Sequence, residues 1–411
     1  MSASLPVNWT VEPLGDLAHV YSGGTPSRAV PAYWGGNIPW ITTTDIDGGY
    51  IESARQTITD AGANASAARI ARPSTLLLAM YGQGKTRGKV AMLGISAAMN
   101  QACAAVEAGS RLDPHFLLHY LSLRYEAIRS MSNAGSQENL SGELIRRIPI
   151  AVPPVEEQRK IADVIGDSDV AVSALRQMIA KKRAIKRGMM QQLLTGKIRL
   201  PGFVTAWTQI ELGELLEFRN GLNKGSKYFG SGTPIVNFMD VMNAPIITSE
   251  DVGGRVTLTT DEIKRFSAKR GDLFFTRTSE TVGEVGTAAT LVDGVPDAAF
   301  SGFLLRGRPR RAEIDSRFIA YLFQLDAVRQ QVSASATYTT RALTNGRSLG
   351  RVVIRLPDGA EQRAIADVID DVDLESYALY RRLDKARMIK QGMMQELLTG
   401  RTRLPVREAA A

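Results

Sequence analysis

The sequence predicts an α+β protein in which two globular domains are joined by two long helices that form an intramolecular antiparallel coiled coil, with a pseudo-twofold internal repeat. Three observations lead to this prediction. A segment of 45 residues occurs twice, its apolar residues have coiled-coil spacing, and the stretches before the two copies share only scattered positions. The chain has 411 residues, of which 44% are hydrophobic and 22% charged, as is usual for a globular protein of two to four domains.

The repeat defines the expected domain boundaries. Residues 157–201 align with residues 361–405 without a gap, and 27 of the 45 positions are identical. A weaker repeat opens each half, where Trp9-Thr10 corresponds to Trp207-Thr208. We therefore expect globular domains at residues 1–152 and 201–356, long helices at residues 153–200 and 357–405, and a short tail at residues 406–411.

Each copy of the repeat has the start, end and spacing of a long helix. Pro153-Pro154 precedes the first copy, and Asp358 with Glu361 has the spacing of a capping box in the second. Gly196 and Gly400 fit the position just past a helix end. Alternate steps of four and three residues reach an apolar seam in both copies. The seam residues are Ile161, Ile165, Leu175, Ile179, Met189 and Leu193 in the first copy, and Ile365, Ile369, Leu379, Leu383, Met393 and Leu397 in the second.

The charges on the two helices favour antiparallel pairing. Residues 176–199 carry eight basic side chains and no acidic one, whereas residues 367–375 carry five carboxylates. An antiparallel pair lays the acidic half of the second helix along the basic half of the first, and a parallel pair does not. The alternative is a solvated charged face without a pairing role.

Composition limits the classes of partner and site. The net charge of +8 and the pI near 9.5 favour a polyanionic partner such as nucleic acid. No apolar stretch approaches the ~18 residues of a membrane helix, and the N-terminus lacks the pattern of a signal peptide, so we expect a cytoplasmic protein. One cysteine and three histidines exclude a disulfide framework and leave few ligands for a metal, so we expect no metal site.

A series of motifs resembles one known family. The motifs are Trp9, the run Gly23-Gly24-Thr25-Pro26-Ser27, Tyr33-Trp34, Ile38-Pro39-Trp40-Ile41, Asn100-Gln101, Ile148-Pro149-Ile150, Pro153-Pro154 with Glu157-Gln158, and the Leu-Leu-Thr-Gly helix ends. In this order they resemble the specificity subunits of type I restriction–modification systems along nearly the whole chain. The second half departs from the pattern, with Asn220-Gly221 replacing the Gly-Thr-Pro run and Pro357-Asp358-Gly359 replacing Pro-Pro.

The resemblance implies a function without catalysis by this chain. Each globular domain would be a target recognition domain that reads one half of a bipartite target in double-stranded DNA. The two helices would be the spacer and the docking surface for two methyltransferase subunits. The complex would methylate adenine and, with restriction/translocase subunits, cleave unmodified DNA. It would use S-adenosylmethionine, ATP and Mg²⁺, none of them bound by this chain, and we expect no catalytic residue here.

Polar loops supply the candidate residues for DNA contact. Arginine suits the guanine edge, glutamate accepts from the cytosine amine, glutamine and asparagine pair with adenine, and other polar side chains contact phosphate. The candidates in the first domain are Thr25, Ser27, Arg28, Tyr81, Gln83, Lys85, Thr86, Arg87, Lys89, Ser136, Gln137 and Asn139. Those in the second domain are Lys224, Arg277, Thr278, Ser279, Glu280, Tyr338, Thr339 and Arg341. The alternative for each loop is an ordinary solvated turn.

Two other functions compete with DNA reading. A coiled-coil scaffold would not require two dissimilar domains with arginine-bearing loops. A nucleotide-dependent enzyme would use residues 79–86, which end like a phosphate-binding loop, but Ala79 stands where that loop needs glycine, and Arg87-Gly88-Lys89 is a poor helix start. Neither a methyltransferase Asn/Asp-Pro-Pro-Tyr/Phe motif nor a Gly-x-Gly-x-x-Gly loop occurs.

The tryptophans and histidines have simpler interpretations. Trp9, Trp34 and Trp40 are expected in core or wall positions. His115 and His119 lie four residues apart on an apparent helix, but no third ligand is evident, so we interpret them as partly buried structural residues.

Overall fold

The computed structural model of the protein describes residues 5–82, 84–131, 139–338 and 341–405. The chain divides into two compact units, which we call unit 1 (residues 1–176 and 381–411) and unit 2 (residues 177–380). Each unit contains one globular domain and one half of each long helix. Within the described ranges, no helix is both long and apolar enough to cross a membrane.

The first globular domain mixes short strands and short helices. Its strands are β1 (Thr10–Pro13), β2 (Ala18–Ser22), β3 (Trp34–Ile41), β4 (Tyr50–Ile51), β5 (Gln56–Ile58), β6 (Leu76–Ala79), β7 (Val90–Leu93), β8 (Ala98–Met99), β9 (Cys103–Ala108) and β10 (Pro149–Val152). Its helices are α1 (Leu14–Leu17), α2 (Asp60–Asn64), α3 (Pro114–Leu123), α4 (Tyr125–Ser130) and α5 (Gly142–Arg146). The first long helix, α6 (Val155–Leu193), follows.

The core of this domain is built on both faces of one sheet. Among the described residues, five strands have the order β2-β9-β6-β7-β4, three form a smaller sheet β5-β3-β8, and β1 pairs with β10. Successive side chains of a strand point to opposite faces. Accordingly, Leu76 and Leu78 of β6 pack in one apolar cluster, and Leu77 and Ala79 pack in another. Burial on both faces explains why β6 is apolar without interruption.

The second globular domain repeats this plan. Its strands are β11 (Thr208–Glu211), β12 (Leu216–Asn220), β13 (Phe229–Val236), β14 (Ile246–Ile247), β15 (Gly254–Val256), β16 (Leu273–Thr276), β17 (Thr278–Ser279), β18 (Ala288–Leu291), β19 (Ala299–Phe300), β20 (Leu304–Pro309), β21 (Thr337–Tyr338), β22 (Ala342–Leu343) and β23 (Val353–Leu356). Its helices are α7 (Leu212–Leu215), α8 (Phe238–Asn243), α9 (Thr260–Arg265), α10 (Ser316–Leu322), α11 (Asp326–Ser335) and α12 (Gly346–Gly350). The second long helix is α13 (Gly359–Leu397).

The sheets of the two domains correspond strand by strand. In the described part of unit 2 the main sheet has the order β12-β20-β16-β18-β14, the smaller sheet is β15-β13-β19, and β11 pairs with β23. A further sheet, β17-β22-β21, joins two loops of this domain. The two domains are therefore copies of one α+β fold, although the residues between the shared segments have diverged.

The long helices confirm the seam predicted from the sequence. Both α6 and α13 have 39 residues. All twelve seam residues named above are buried or half-buried, whereas Val170 and Met388, which lie off the seam, are more than two-thirds exposed. In unit 1, Ser168 of α6 contacts Met393 of α13, and Asp169 accepts from Lys390 at 2.5 Å. Residue numbers therefore increase along α6 in the direction in which they decrease along α13, which confirms antiparallel pairing in unit 1.

The predicted charge pairing is confirmed in unit 2. Lys186 Nζ lies 2.6 Å from an Asp373 carboxylate oxygen, and Lys182 pairs with Glu375. The sequence argument missed the matching pair in unit 1, Lys390 with Asp169, which occupies the equivalent repeat positions. Lysines at seam positions are thus paired with aspartates of the opposite helix in both units, and a polar pair of this kind helps to fix helix register.

The shared Glu-Gln sequence at each helix start forms a joint between helix and domain. Glu361 is fully buried; its carboxylate accepts two hydrogen bonds from Arg199, at 2.5 and 2.6 Å, and one from the Trp207 indole at 3.1 Å. The predicted capping box is therefore only half correct. The Asp358 side chain does accept from the Glu361 backbone N–H at 2.9 Å, but the Glu361 carboxylate is held by Arg199 and does not return to the helix start.

The same joint occurs in unit 1. Glu157 is fully buried and accepts from Arg403 at 2.5 and 2.8 Å and from the Trp9 indole at 3.3 Å. The following Gln158 accepts from the Asp113 backbone N–H at 2.7 Å, at the N-cap of α3. Each globular domain is thereby fixed to the start of one long helix and to the segment after the end of the other.

Candidate nucleic-acid interface

Two separate loops of the second domain come together as one surface. β17 contains the candidates Thr278 and Ser279, and it pairs with β22, which directly follows the candidate Arg341. β22 also pairs with β21, which ends at the exposed candidate Tyr338. Residues more than sixty positions apart in sequence are thus held in one small sheet. Thr339 lies outside the described residues.

This surface contains a concave pocket of about 430 Å³. Its lining combines polar candidates from both loops with two aromatic side chains that the sequence argument did not select. The lining residues are Phe238, Thr278, Ser279, Glu280, Thr281, Glu284, Phe303 and Arg341. Glu280 and Arg341 are exposed and therefore accessible to a ligand, and Arg277, half-buried, precedes β17.

Internal hydrogen bonds hold the pocket in shape. The Ser279 hydroxyl donates to the Glu284 carboxylate, and the Thr276 hydroxyl donates to the Glu284 backbone carbonyl at 2.6 Å. The Arg329 guanidinium donates to the carbonyls of Gly283 and Val285, both at 2.7 Å. Because its hydroxyl is engaged and its side chain buried, Ser279 serves the shape of the loop, and the rim is left to Thr278, Glu280 and Arg341.

The candidate Lys224 is engaged by another side chain. Its ammonium donates to Glu262 at 2.6 Å and lies 4.7 Å from the centre of the Tyr228 ring. This hydrogen bond lowers the pKa of Glu262, so the carboxylate remains ionised opposite the lysine. A phosphate that approached Lys224 would compete with Glu262.

In the first domain, Ser27 and Arg28 contact Trp34, and Thr25 contacts Gln101. The Thr25 hydroxyl donates to the Gln101 side chain, and the Trp34 indole donates to the Ser27 carbonyl at 3.2 Å. The Arg28 guanidinium lies 3.9 Å from the centre of the Trp34 ring. Trp34 is half-buried as a wall of this cluster, whereas Trp9 and Trp40 are core residues, as predicted.

The basic side chains of the loop after β6 differ in their exposure to solvent. Lys85 and Tyr81 are exposed, Thr86 is half-buried, and Lys89 pairs with Asp47 at 2.5 Å. Arg87, in contrast, is only 6% exposed, so it is not presented on the surface as Lys85 is. Residues 84–88 form turns that lead directly into β7, and no helix N-terminus follows them. The phosphate-binding alternative for residues 79–86 therefore lacks the helix that it needs.

The structure gives few contacts for the remaining candidates of the first domain. Gln83, Ser136 and Gln137 lie outside the described residues, and Asn139 is half-buried where the description resumes. His119 is buried as predicted, and burial lowers its pKa to about 4. His115 remains half-exposed on α3. Among the described residues, no group of three or more His, Cys, Asp or Glu side chains could hold a metal.

Sequence comparison gives the family. Residues 6–181 match the family described as "Type I restriction modification DNA specificity domain". The MjaVIII specificity subunit of the type I restriction enzyme from Methanocaldococcus jannaschii is 22% identical over 97% of this chain and 94% of its own length. The EcoKI specificity subunit of Escherichia coli is 21% identical over 97% of this chain and 89% of its own. Residues 6–181 thus carry a type I DNA specificity domain, and the chain is similar to type I specificity subunits along nearly its whole length.

Solved structures support the fold of this chain. The S subunit of a type I restriction–modification system from M. genitalium superposes with a TM-score of 0.59, at 14% identity, over 96% of this chain and 98% of its own. A chain from a study of complex assembly and conformational transition in the type I system gives a TM-score of 0.60, at 18% identity, over 96% and 99%. The arrangement of two α+β domains and two long helices is thus that of a specificity subunit.

Proposed function

We propose that this specificity subunit reads a bipartite sequence in double-stranded DNA, one half with each globular domain, and so directs adenine methylation or cleavage by partner subunits. One observation carries the proposal: two copies of one fold present different side chains at the same place. Met80 and Arg277 occupy equivalent positions, since each backbone N–H donates to the residue just before β9 or β20, at 2.9 and 2.8 Å. A reader of two half-sites requires this combination of a constant frame and variable loops.

The side chains at the loops suit base edges better than a protein partner. Arg277, Thr278, Glu280 and Arg341 offer donors and an acceptor on one rigid surface, and base edges are read by such groups. The excess of basic residues over the whole chain favours a polyanion, because cationic side chains release counterions when they neutralise phosphates. The scaffold alternative gives no role to these loops.

The long helices offer a surface for the partner subunits. Several large apolar side chains on them are exposed, and exposed apolar side chains are available for protein interaction. They are Val170, Met388 and Ile389 in unit 1, and Met178, Ile185, Leu374 and Tyr377 in unit 2. We assign this surface to two methyltransferase subunits, which would bind S-adenosylmethionine. Restriction/translocase subunits would bring ATP and Mg²⁺.

The test is the methylome of cells that carry this subunit with its neighbouring methyltransferase. We expect a methylated bipartite motif that disappears when this chain is deleted. Replacing residues 10–150 with the equivalent domain of a relative should change one half of the motif and keep the other. If the motif survives deletion, or if the purified chain alone transfers methyl groups or hydrolyses ATP, the proposal is wrong.

A further inference from the structure

The pocket of the second domain contains a combination of side chains that DNA phosphates would disfavour. Glu280 is exposed on its rim, and Glu284 lies deeper, in a chain with a net charge of +8. A carboxylate that faces DNA is repelled by the phosphates unless it accepts a hydrogen bond from a base. Phe303 of the same pocket is 56% exposed, although a large apolar side chain gains from burial. Both features indicate a specific ligand surface.

The first domain shows that Phe303 is not needed to build the fold. The Met80 N–H donates to the Ala102 carbonyl at 2.9 Å, and the Leu140 N–H donates to the Met80 carbonyl at 3.0 Å. The second domain repeats both bonds: Arg277 donates to Phe303 at 2.8 Å, and Thr344 donates to Arg277 at 2.9 Å. Ala102 therefore occupies the position of Phe303 on the same backbone, so the phenyl ring serves this particular pocket.

The pairing of a carboxylate with a phenyl ring selects among the bases. In the major groove, thymine and guanine present acceptors, which a carboxylate repels, and adenine presents an acceptor beside its amine. Cytosine presents an amine beside the apolar C5 edge. Only cytosine thus offers a donor for Glu280 next to an apolar surface for Phe303.

From this we infer that the pocket takes the major-groove edge of one cytosine in the half-site read by the second domain. The cytosine N4 amine donates to Glu280, and the C5 edge lies against Phe303 in the pocket that Phe238 also lines. Arg341, on the same rim, suits the O6 and N7 acceptors of the guanine paired with this cytosine. The inference rests on the proposed function and names the base that this site reads.

The experiment uses the specificity subunit in complex with its methyltransferase, with duplexes that carry the methylated motif. Replacing the C·G pair read by the pocket with T·A should weaken binding by about 5- to 150-fold, because a bidentate or comparable base contact gives discrimination of that order. In Glu280→Gln most of this penalty should disappear, since a carboxamide can donate to the thymine O4. Phe303→Ala should weaken binding to both duplexes, and its methylome should be relaxed at the same position.

Met239→Ala is the matched control, because Met239 is 58% exposed on α8 of the same domain but does not line the pocket. It should keep the wild-type affinities and motif. Thermal unfolding of all variants checks that the fold is retained. The inference is overturned if Glu280→Gln and Phe303→Ala relax different positions, or none, or if no C·G pair stands at the affected position. The proposed function fails in a different way, through a motif that persists without this chain.

Discussion

Removing the Arg199 guanidinium should loosen the joint between the second domain and the start of α13. Arg199 is the bidentate partner of a fully buried carboxylate, Glu361, and its own side chain is 26% exposed. The hydrogen bond to Glu361 raises the pKa of Arg199 above its ordinary value, so the guanidinium stays charged. In Arg199→Met, the carboxylate keeps only the Trp207 indole N–H.

We expect Arg199→Met to lower the free energy of opening this joint by about 3 kcal/mol. This is the lower end of the range for removing one partner of a buried ion pair, because water reaches part of the arginine. A free energy of that size corresponds to a change of about 150-fold in a local opening equilibrium. Hydrogen exchange measured by mass spectrometry, on peptides that cover residues 199–212 and 357–370, should therefore accelerate by about two orders of magnitude.

A double-mutant cycle makes the reasoning testable. Glu361→Met alone should cost a similar amount, but the double variant Arg199→Met with Glu361→Met should cost clearly less than the sum, since no charge is left buried without a partner. Arg403→Met in unit 1 is the internal comparison: that arginine is 39% exposed, so its loss should cost less, about 1–2 kcal/mol. Exchange that stays within about threefold of wild type, or additive costs, would refute the assignment of the joint to this ion pair.

Three further outcomes follow from buried or paired groups. Burial lowers the pKa of His119 to about 4, so this side chain stays neutral in the folded protein, whereas in the unfolded chain it becomes protonated near pH 6.5. The free energy of unfolding should therefore fall by about 2 kcal/mol as the pH drops to 5. His119→Gln should remove that part of the pH dependence in urea titrations. Burial raises the pKa of the Cys103 thiol to about 12, so an aromatic disulfide reagent should react only at the rate of unfolding; fast labelling of the native protein would contradict this. Reversing the charge of Lys186 alone should destabilise the helix pair by about 1 kcal/mol at low salt, and reversing Asp373 as well should restore stability; no rescue would mean that their contact is incidental.

The helices were predictable because their signals are local. The seam of Ile161, Ile165 and their successors is a periodic pattern, and a periodic pattern specifies a buried face without knowledge of the rest of the fold. The same was true of the acidic and basic halves of the helices. The pair Lys390–Asp169 was less apparent because Lys390 lies outside the largest block of charge, although the repeat places Lys390 and Lys186 at equivalent positions.

The recognition surface was predictable only in part. Composition identified polar loops, but it could not show that Ser279 is tied to Glu284 or that Arg87 is buried, since both depend on contacts outside the local sequence. Phe303 carries no local signal of a surface role, because it directly precedes the apolar start of β20. The available signal was the repeat of the fold, which places Ala102 at the same backbone position, and this equivalence requires the strand register.

The joint between Glu157 and Arg403 also orders events during synthesis. Unit 2 is a continuous stretch of chain, whereas unit 1 needs residues from both ends. At 5–20 residues per second, the ribosome adds Arg403 roughly 11–45 s after it has finished residue 176. Throughout that interval the buried side of Glu157 lacks its cation, and the apolar faces of Ile161 and Ile165 lack Leu397 and Leu398. A chain that stops before Arg403 therefore lacks a partner of Glu157 in the domain that was made first.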